Sequence, residues 1–403
     1  TKKKYYPNLF VILQFLVFLL SANRSANAAG TEIDELNLEG DTSTEEINVD
    51  QILDDILGKD PSVVLMEDND GKKVLIQTNY SFGITIESKS NVFDSTSSPL
   101  QSQLTASQLD FFWKYKNGDL HELDFFISAE TKAYAAESLK EGEQLIFTRF
   151  EYIKNSGKSS DIGFNLDYSF QKYLDPYSSS STQTIPVEHS EEKSIAPFWD
   201  LYLEGRWKTK IMATLLRYNT WESDYDYFGY SLLLEAKKHY SENSQLGFSF
   251  ESSHNIFEQW RTQERNSSYI DNTTLQTTVN QLSFENEHSL SSDHSWFLET
   301  EWDLISKRDN GPGYLNYNRI EGSESLNYQS GTWKVFGTVG LEYYNYLQRT
   351  RTSRIIEFSA GIEQQFHDWL YTEFELNHVD STSNYSEDIY QSNSYLVGIN
   401  AYF

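Results

Sequence analysis

Carboxylates two residues apart recur along this chain: Glu299, Glu301 and Asp303 form one set, Glu373 and Glu375 another. In an extended chain that spacing puts them on one face, about 7 Å apart. Such a row concentrates negative charge and draws cations. Asp167, Asp200, Glu204 and Glu251 fall in the same kind of pattern. Two carboxylates also serve glycosidases, but those enzymes set the pair across a substrate-shaped cleft, and no cleft follows from this spacing. His239-Tyr240-Ser241 falls beside a short turn, and His254, His288-Ser289 and His294-Ser295 have no orienting partner evident in the sequence. Glu222, Asp224 and Asp226 offer hard oxygen ligands without the glycine and closing glutamate of a calcium loop. With no cysteine at all, thiolate metal sites, disulfides and a lipid-anchored lipoprotein are excluded. The expectation is no enzyme, no catalytic residue, no metal and no cofactor.

Lys2, Lys3 and Lys4, the apolar stretch Leu9 to Leu20 and Ala26-Asn27-Ala28 read as a secretory signal over residues 1–28. Without it the chain holds 28 basic against 60 acidic residues, a net charge of −32. That balance repels nucleic acid and anionic headgroups, so no nucleic-acid partner is expected. Residues 29–73 are acidic, with a helix expected from Glu45 to Leu57, and read as a periplasmic lead-in that can dock a periplasmic partner.

From Val74 to Phe403 the text changes to period-two alternation. Val74, Ile76, Thr78, Tyr80, Phe82, Ile84 and Ile86 oppose Gln77, Asn79, Ser81, Gly83, Thr85 and Glu87. Phe164, Phe248 and Trp302 likewise stand opposite polar neighbours. Each run reaches about 10 residues, enough to cross a bilayer when tilted. About sixteen runs are expected, joined alternately by short turns and longer loops, with 14 or 18 as alternatives. One turn is expected at Thr209, and the longest loop at Leu174–Ser194. Trp113, Trp207, Trp296, Trp333 and Trp369 sort to the short-turn end, and Trp199, Trp221 and Trp260 to the other, as interface girdles do.

The last run alternates too: Tyr395, Val397, Ile399, Ala401 and Phe403 share an apolar face. This resembles the terminal strand of Gram-negative outer-membrane β-barrels, which the barrel-assembly machinery reads. The resemblance implies an all-β, transmembrane, antiparallel up-and-down barrel over residues 74–403, set in outer-membrane lipid with both termini periplasmic. Apolar residues then face lipid, and the carboxylates face the lumen. A sixteen-strand barrel also resembles general porins, whose third external loop folds inward. That likeness implies a constriction in which loop residues Asp175, Glu188, Glu191 and Glu192 meet Arg149 and Arg206 on the wall. The expected function is a porin-like channel for small hydrophilic, cationic solutes. The alternatives are an export barrel for polysaccharide working with a periplasmic partner, or a structural or adhesive barrel with a closed lumen.

Overall fold

A computed structural model describes residues 62–67, 73–92 and 101–403, except 118–120, 137–138, 140–141, 158, 175–186, 222–224, 242–243, 259–272, 292, 294, 312, 314, 348–350 and 386–387. The expected signal sequence, the helix expected at Glu45–Leu57, Asp175 and Trp260 lie outside the described residues. A short strand, β1 (Ser62–Glu67), precedes sixteen longer ones. These are β2 (Lys73–Lys89), β3 (Ser102–Asn117), β4 (His121–Tyr134), β5 (Glu143–Asn155), β6 (Ser160–Leu174), β7 (Val187–Leu203), β8 (Trp207–Thr220) and β9 (Tyr227–Ser241). Then come β10 (Ser244–Phe257), β11 (Gln276–Ser289), β12 (Trp296–Asp309), β13 (Tyr317–Ser330), β14 (Trp333–Tyr346), β15 (Thr352–His367), β16 (Leu370–Ser383) and β17 (Tyr390–Tyr402). Each of β2–β17 pairs antiparallel with its sequence neighbours, and β17 pairs with β2, which closes the barrel.

Register explains why the alternation matters. Residues opposite one another across a ladder share a face. The pairings Phe82↔Leu109, Phe111↔Ile127, Phe125↔Phe150 and Phe150↔Leu166 carry an apolar row round one side. Leu234↔Phe250, Leu282↔Leu304 and Val397↔Ile86 continue it elsewhere on the barrel. On this outer face Phe82, Leu166, Leu234, Phe250, Leu282, Leu304, Ile86 and Val397 stand exposed, Ile86 at 58% and Val397 at 53%, and the other residues of the row are half-buried. A continuous apolar band of that size is stable only in hydrocarbon. The opposite face holds the carboxylates.

The closing seam has its own construction. β17 meets β2 only over Ser81–Lys89, and the Tyr80 and Phe403 backbones add a reciprocal pair of hydrogen bonds at 2.8 and 2.9 Å. Below that point β1 takes over the same edge of β2, from Ser62↔Thr78 to Glu67↔Lys73. The lead-in therefore contains a strand that its acidic composition did not announce. Phe403 stacks between Tyr80 and Trp369, with ring centroids at 5.3 and 5.8 Å.

Two boundaries differ from expectation. The turn lies at Glu204–Arg206 rather than Thr209, and β7 begins at Val187, well inside the expected loop. Gly205 and Arg206 both have left-handed φ, 76° and 63°, and reverse the chain there. A three-residue loop preserves parity, so Leu203 and Trp207 both face outward and the alternation runs through the turn unbroken. The longer β7 also puts Trp199 near the short-turn end, opposite its expected side.

Candidate functional site

The candidate site is the inner wall. Each inward side chain is placed by the same parity: odd numbers on β2, β5, β6 and β9–β13, even numbers on β3, β4, β7 and β8. Inward positions are then even on β14, odd on β15 and β16, and even on β17.

From β3 to β8 the wall is ion-paired. Lys114 Nζ lies 2.6 Å from Glu122 and 3.4 Å from Asp124, and Lys116 reaches Glu122 at 3.4 Å. Arg149 Nε donates to Asp167 at 2.8 Å, and Ser194 Oγ donates to the same carboxylate at 3.4 Å. Lys208 holds Asp200 at 3.1 Å, with Asp200 only 5% exposed. Aromatic side chains also enter this wall. Phe112 and Phe126 face each other across the β3–β4 ladder at 1% exposure each, and Lys210 sits 5.1 Å from the Phe198 ring.

From β11 to β12 the pattern inverts. Glu285 stands directly opposite Glu301, and Glu287 opposite Glu299. Lys237 reaches Glu285 at 3.0 Å from the next strand but one, and Gln281 donates to Asp303 at 3.1 Å. Further round, the inward faces of β15, β16 and β17 carry Glu357, Glu363, Glu373 and Glu375 and no lysine or arginine. Glu363 and Glu373 are cross-strand partners. Beside them a recess of about 230 Å³ opens between β2, β3, β4, β16 and β17, lined by Asp110, Glu130, Glu373, Gln108, Asn400 and Tyr402 among others. Asp110 is buried there and accepts from Ser81 Oγ at 2.8 Å, Ser128 Oγ at 2.6 Å and Gln108 Nε2 at 3.1 Å.

Of the expected lumenal acids, Asp167, Asp200, Glu251, Glu299, Glu301, Asp303, Glu373 and Glu375 all face inward. Glu204 does not: it sits exposed in the Glu204–Arg206 turn, and Arg206 with it. Among the described residues, the named parts of the expected constriction are placed as follows. Glu188, Glu191 and Glu192 belong to β7, not to a loop. Glu188 and Glu192 face in, while Glu191 faces out, where Lys193 bonds it at 2.8 Å. Arg149 faces inward and pairs with Asp167. Several inward groups escaped the sequence reading, including Asp110, Lys208, Lys210, Glu285 and Glu287. Parity against Leu109, Ile211 and Phe284 would have found them.

An apolar exterior round a charged interior decides the class. The molecule is a closed sixteen-strand β-barrel of the membrane-spanning kind. No family model matches the chain, and no curated protein does. Among solved structures it is similar to a loop-deleted OmpT, an outer membrane protein of Vibrio cholerae, with TM-score 0.46 and 11% identity over 81% of this chain and 99% of that one. It is also similar to OccAB3 of Acinetobacter baumannii, with TM-score 0.45 and 7% identity over 81% and 99% of the two chains. A bacterial polysaccharide outer membrane secretin aligns at TM-score 0.41 and 10% identity over 80% and 97%. At these scores the likeness is one of general barrel architecture, and the reading of the site rests on this chain's own residues.

Proposed function

We propose that this barrel is a non-enzymatic, porin-like channel that passes small hydrophilic solutes across the outer membrane and favours cations. The observation that carries this reading is the inner face of β15–β17, four glutamates with no lysine or arginine among them. Fixed carboxylates along a passage with low-dielectric walls raise the local cation concentration and exclude anions. The inner face of β3–β8 holds eleven acids against six lysines and arginines, so its net charge has the same sign and does not cancel that field. Lipid covers the outer band. The face of Tyr395, Val397, Ile399, Ala401 and Phe403 at the seam is the segment that the assembly machinery would engage.

Purified protein in a planar bilayer under a salt gradient tests this. Stable conductance with a reversal potential toward the cation side is expected. Membranes that stay silent at high protein load, or an anion-side potential, would defeat the reading.

A further inference from the structure

Among the described strand residues, three carboxylates face outward: Glu191, Glu324 and Asp380. Glu191 and Asp380 lie toward the long-loop ends, and each has a polar side chain within bonding distance: Lys193 at 2.8 Å and Gln391 at 3.3 Å. Glu324 is different. It sits midway along β13, exposed, with Leu326 and Gly322 on the same face of its own strand. Thr300 of β12 and Val339 of β14 are its cross-strand neighbours. Thr300 Oγ1 donates to it at 2.8 Å. In hydrocarbon a carboxyl group there has nothing else to bond. The surface beside it is hollowed: a Cβ placed on outward-facing Gly337 would meet only the Ser359 carbonyl, at 3.9 Å. Leu326 and Val339, 41% and 47% exposed, stand next to that hollow.

We propose that a second copy of this chain covers the patch, in a two-fold contact through β12–β14. Copies inserted the same way round are related by an axis along the membrane normal, so residues meet at equal depth. A two-fold axis at this face therefore sets Glu324 and Thr300 against their own counterparts, so that the Thr300 hydroxyl of either copy can donate to the Glu324 carboxyl of the other. The same operation lets Leu326 and Val339 of each copy fill the other's hollow at Gly337. A three-fold arrangement would instead turn Glu324 toward a face about 60° round the barrel. The outward mid-strand residues there are Phe250 and Phe284 on one side and Phe358 and Phe374 on the other, none of which can bond it.

The chain has no cysteine, so single cysteines report cleanly. In membranes treated with a short bis-maleimide, Leu326→Cys and Val339→Cys should give a cross-linked dimer, and Leu215→Cys on β8 should not. In mild detergent, light scattering should find the wild type dimeric. Glu324→Gln keeps a donor and an acceptor and should stay dimeric. Glu324→Leu, which makes the outer face more apolar and leaves the barrel wall intact, should dissociate at least ten-fold more readily with unchanged single-barrel conductance. A monomeric or trimeric wild type, equal cross-linking at Leu215→Cys, capture of a different protein at position 339, or a Glu324→Leu dimer as tight as wild type would each overturn the proposal.

Discussion

Two stretches of the same inner wall treat their carboxylates differently: β3–β8 sets eleven inward acids among six lysines and arginines, and β15–β17 sets four among none. Between β3 and β8, Lys114, Lys116, Arg149 and Lys208 each reach an acid on a neighbouring position. Between β15 and β17 the inward acids meet one another, as Glu363 meets Glu373. Backbone geometry is the same in both, so the ladder does not set the field. Which residue falls opposite which does. Acidity of a barrel interior is thus a matter of register, and counting acids overstates it.

Replacing Glu357, Glu363, Glu373 and Glu375 together by glutamine should break the comparison most. The cation-to-anion permeability ratio should fall roughly ten-fold, read from the reversal potential. An unchanged ratio would place the selecting charge elsewhere. Raising salt sharpens the same contrast without mutation. The screening length shrinks from about 10 Å at 0.1 M to 3 Å at 1 M. Cation preference should therefore decline severalfold over that range in the wild type, and hardly at all in the quadruple variant.

The bonded stretch should respond in stability rather than selectivity. Asp167→Asn leaves Arg149, about one-fifth exposed, without its carboxylate. The expected loss is about 1–2 kcal/mol, after allowing for partial solvent screening. A urea midpoint in detergent micelles measures it. Arg149→Gln added to Asp167→Asn should recover most of the loss, with the reversal potential near wild type throughout. A double variant no more stable than Asp167→Asn alone would show that Arg149 was not held chiefly by that bond.

Much of this was legible in the residues themselves. Alternation alone placed Phe164, Phe248 and Trp302 outside and Glu299 and Glu373 inside, because period two is the pleat and one face must meet hydrocarbon. The Glu204–Arg206 turn was hidden for a physical reason: a loop of odd length keeps parity, so Leu203 and Trp207 read as one run. Glu188–Glu192 read as loop because β7 extends past the apolar band, where neither face has to be greasy. β1 was invisible for a related reason. It satisfies the backbone of β2 below the seam, a demand the neighbouring side chains do not write. Glu324 departs from the pattern outright, and only the ladder shows which way it faces.

The smallest expected effect tests whether a cation on the acid-rich side matters at all. Lys334, second residue of β14, stands in register opposite Glu363, at the short-turn mouth. Lys334→Gln removes a positive charge next to the β15–β17 glutamates and should raise the cation preference, by no more than about two-fold because the mouth is wide and well screened. Lys208→Gln removes the same charge from the bonded stretch. There the Asp200 carboxylate is nearly enclosed, and one of its oxygens already lacks a hydrogen-bond partner. Losing Lys208 should therefore lower the urea midpoint and leave the reversal potential close to wild type. If Lys208→Gln moved selectivity more than Lys334→Gln, the distinction between the two stretches would fail, and the lumen would have to be treated as one averaged charge.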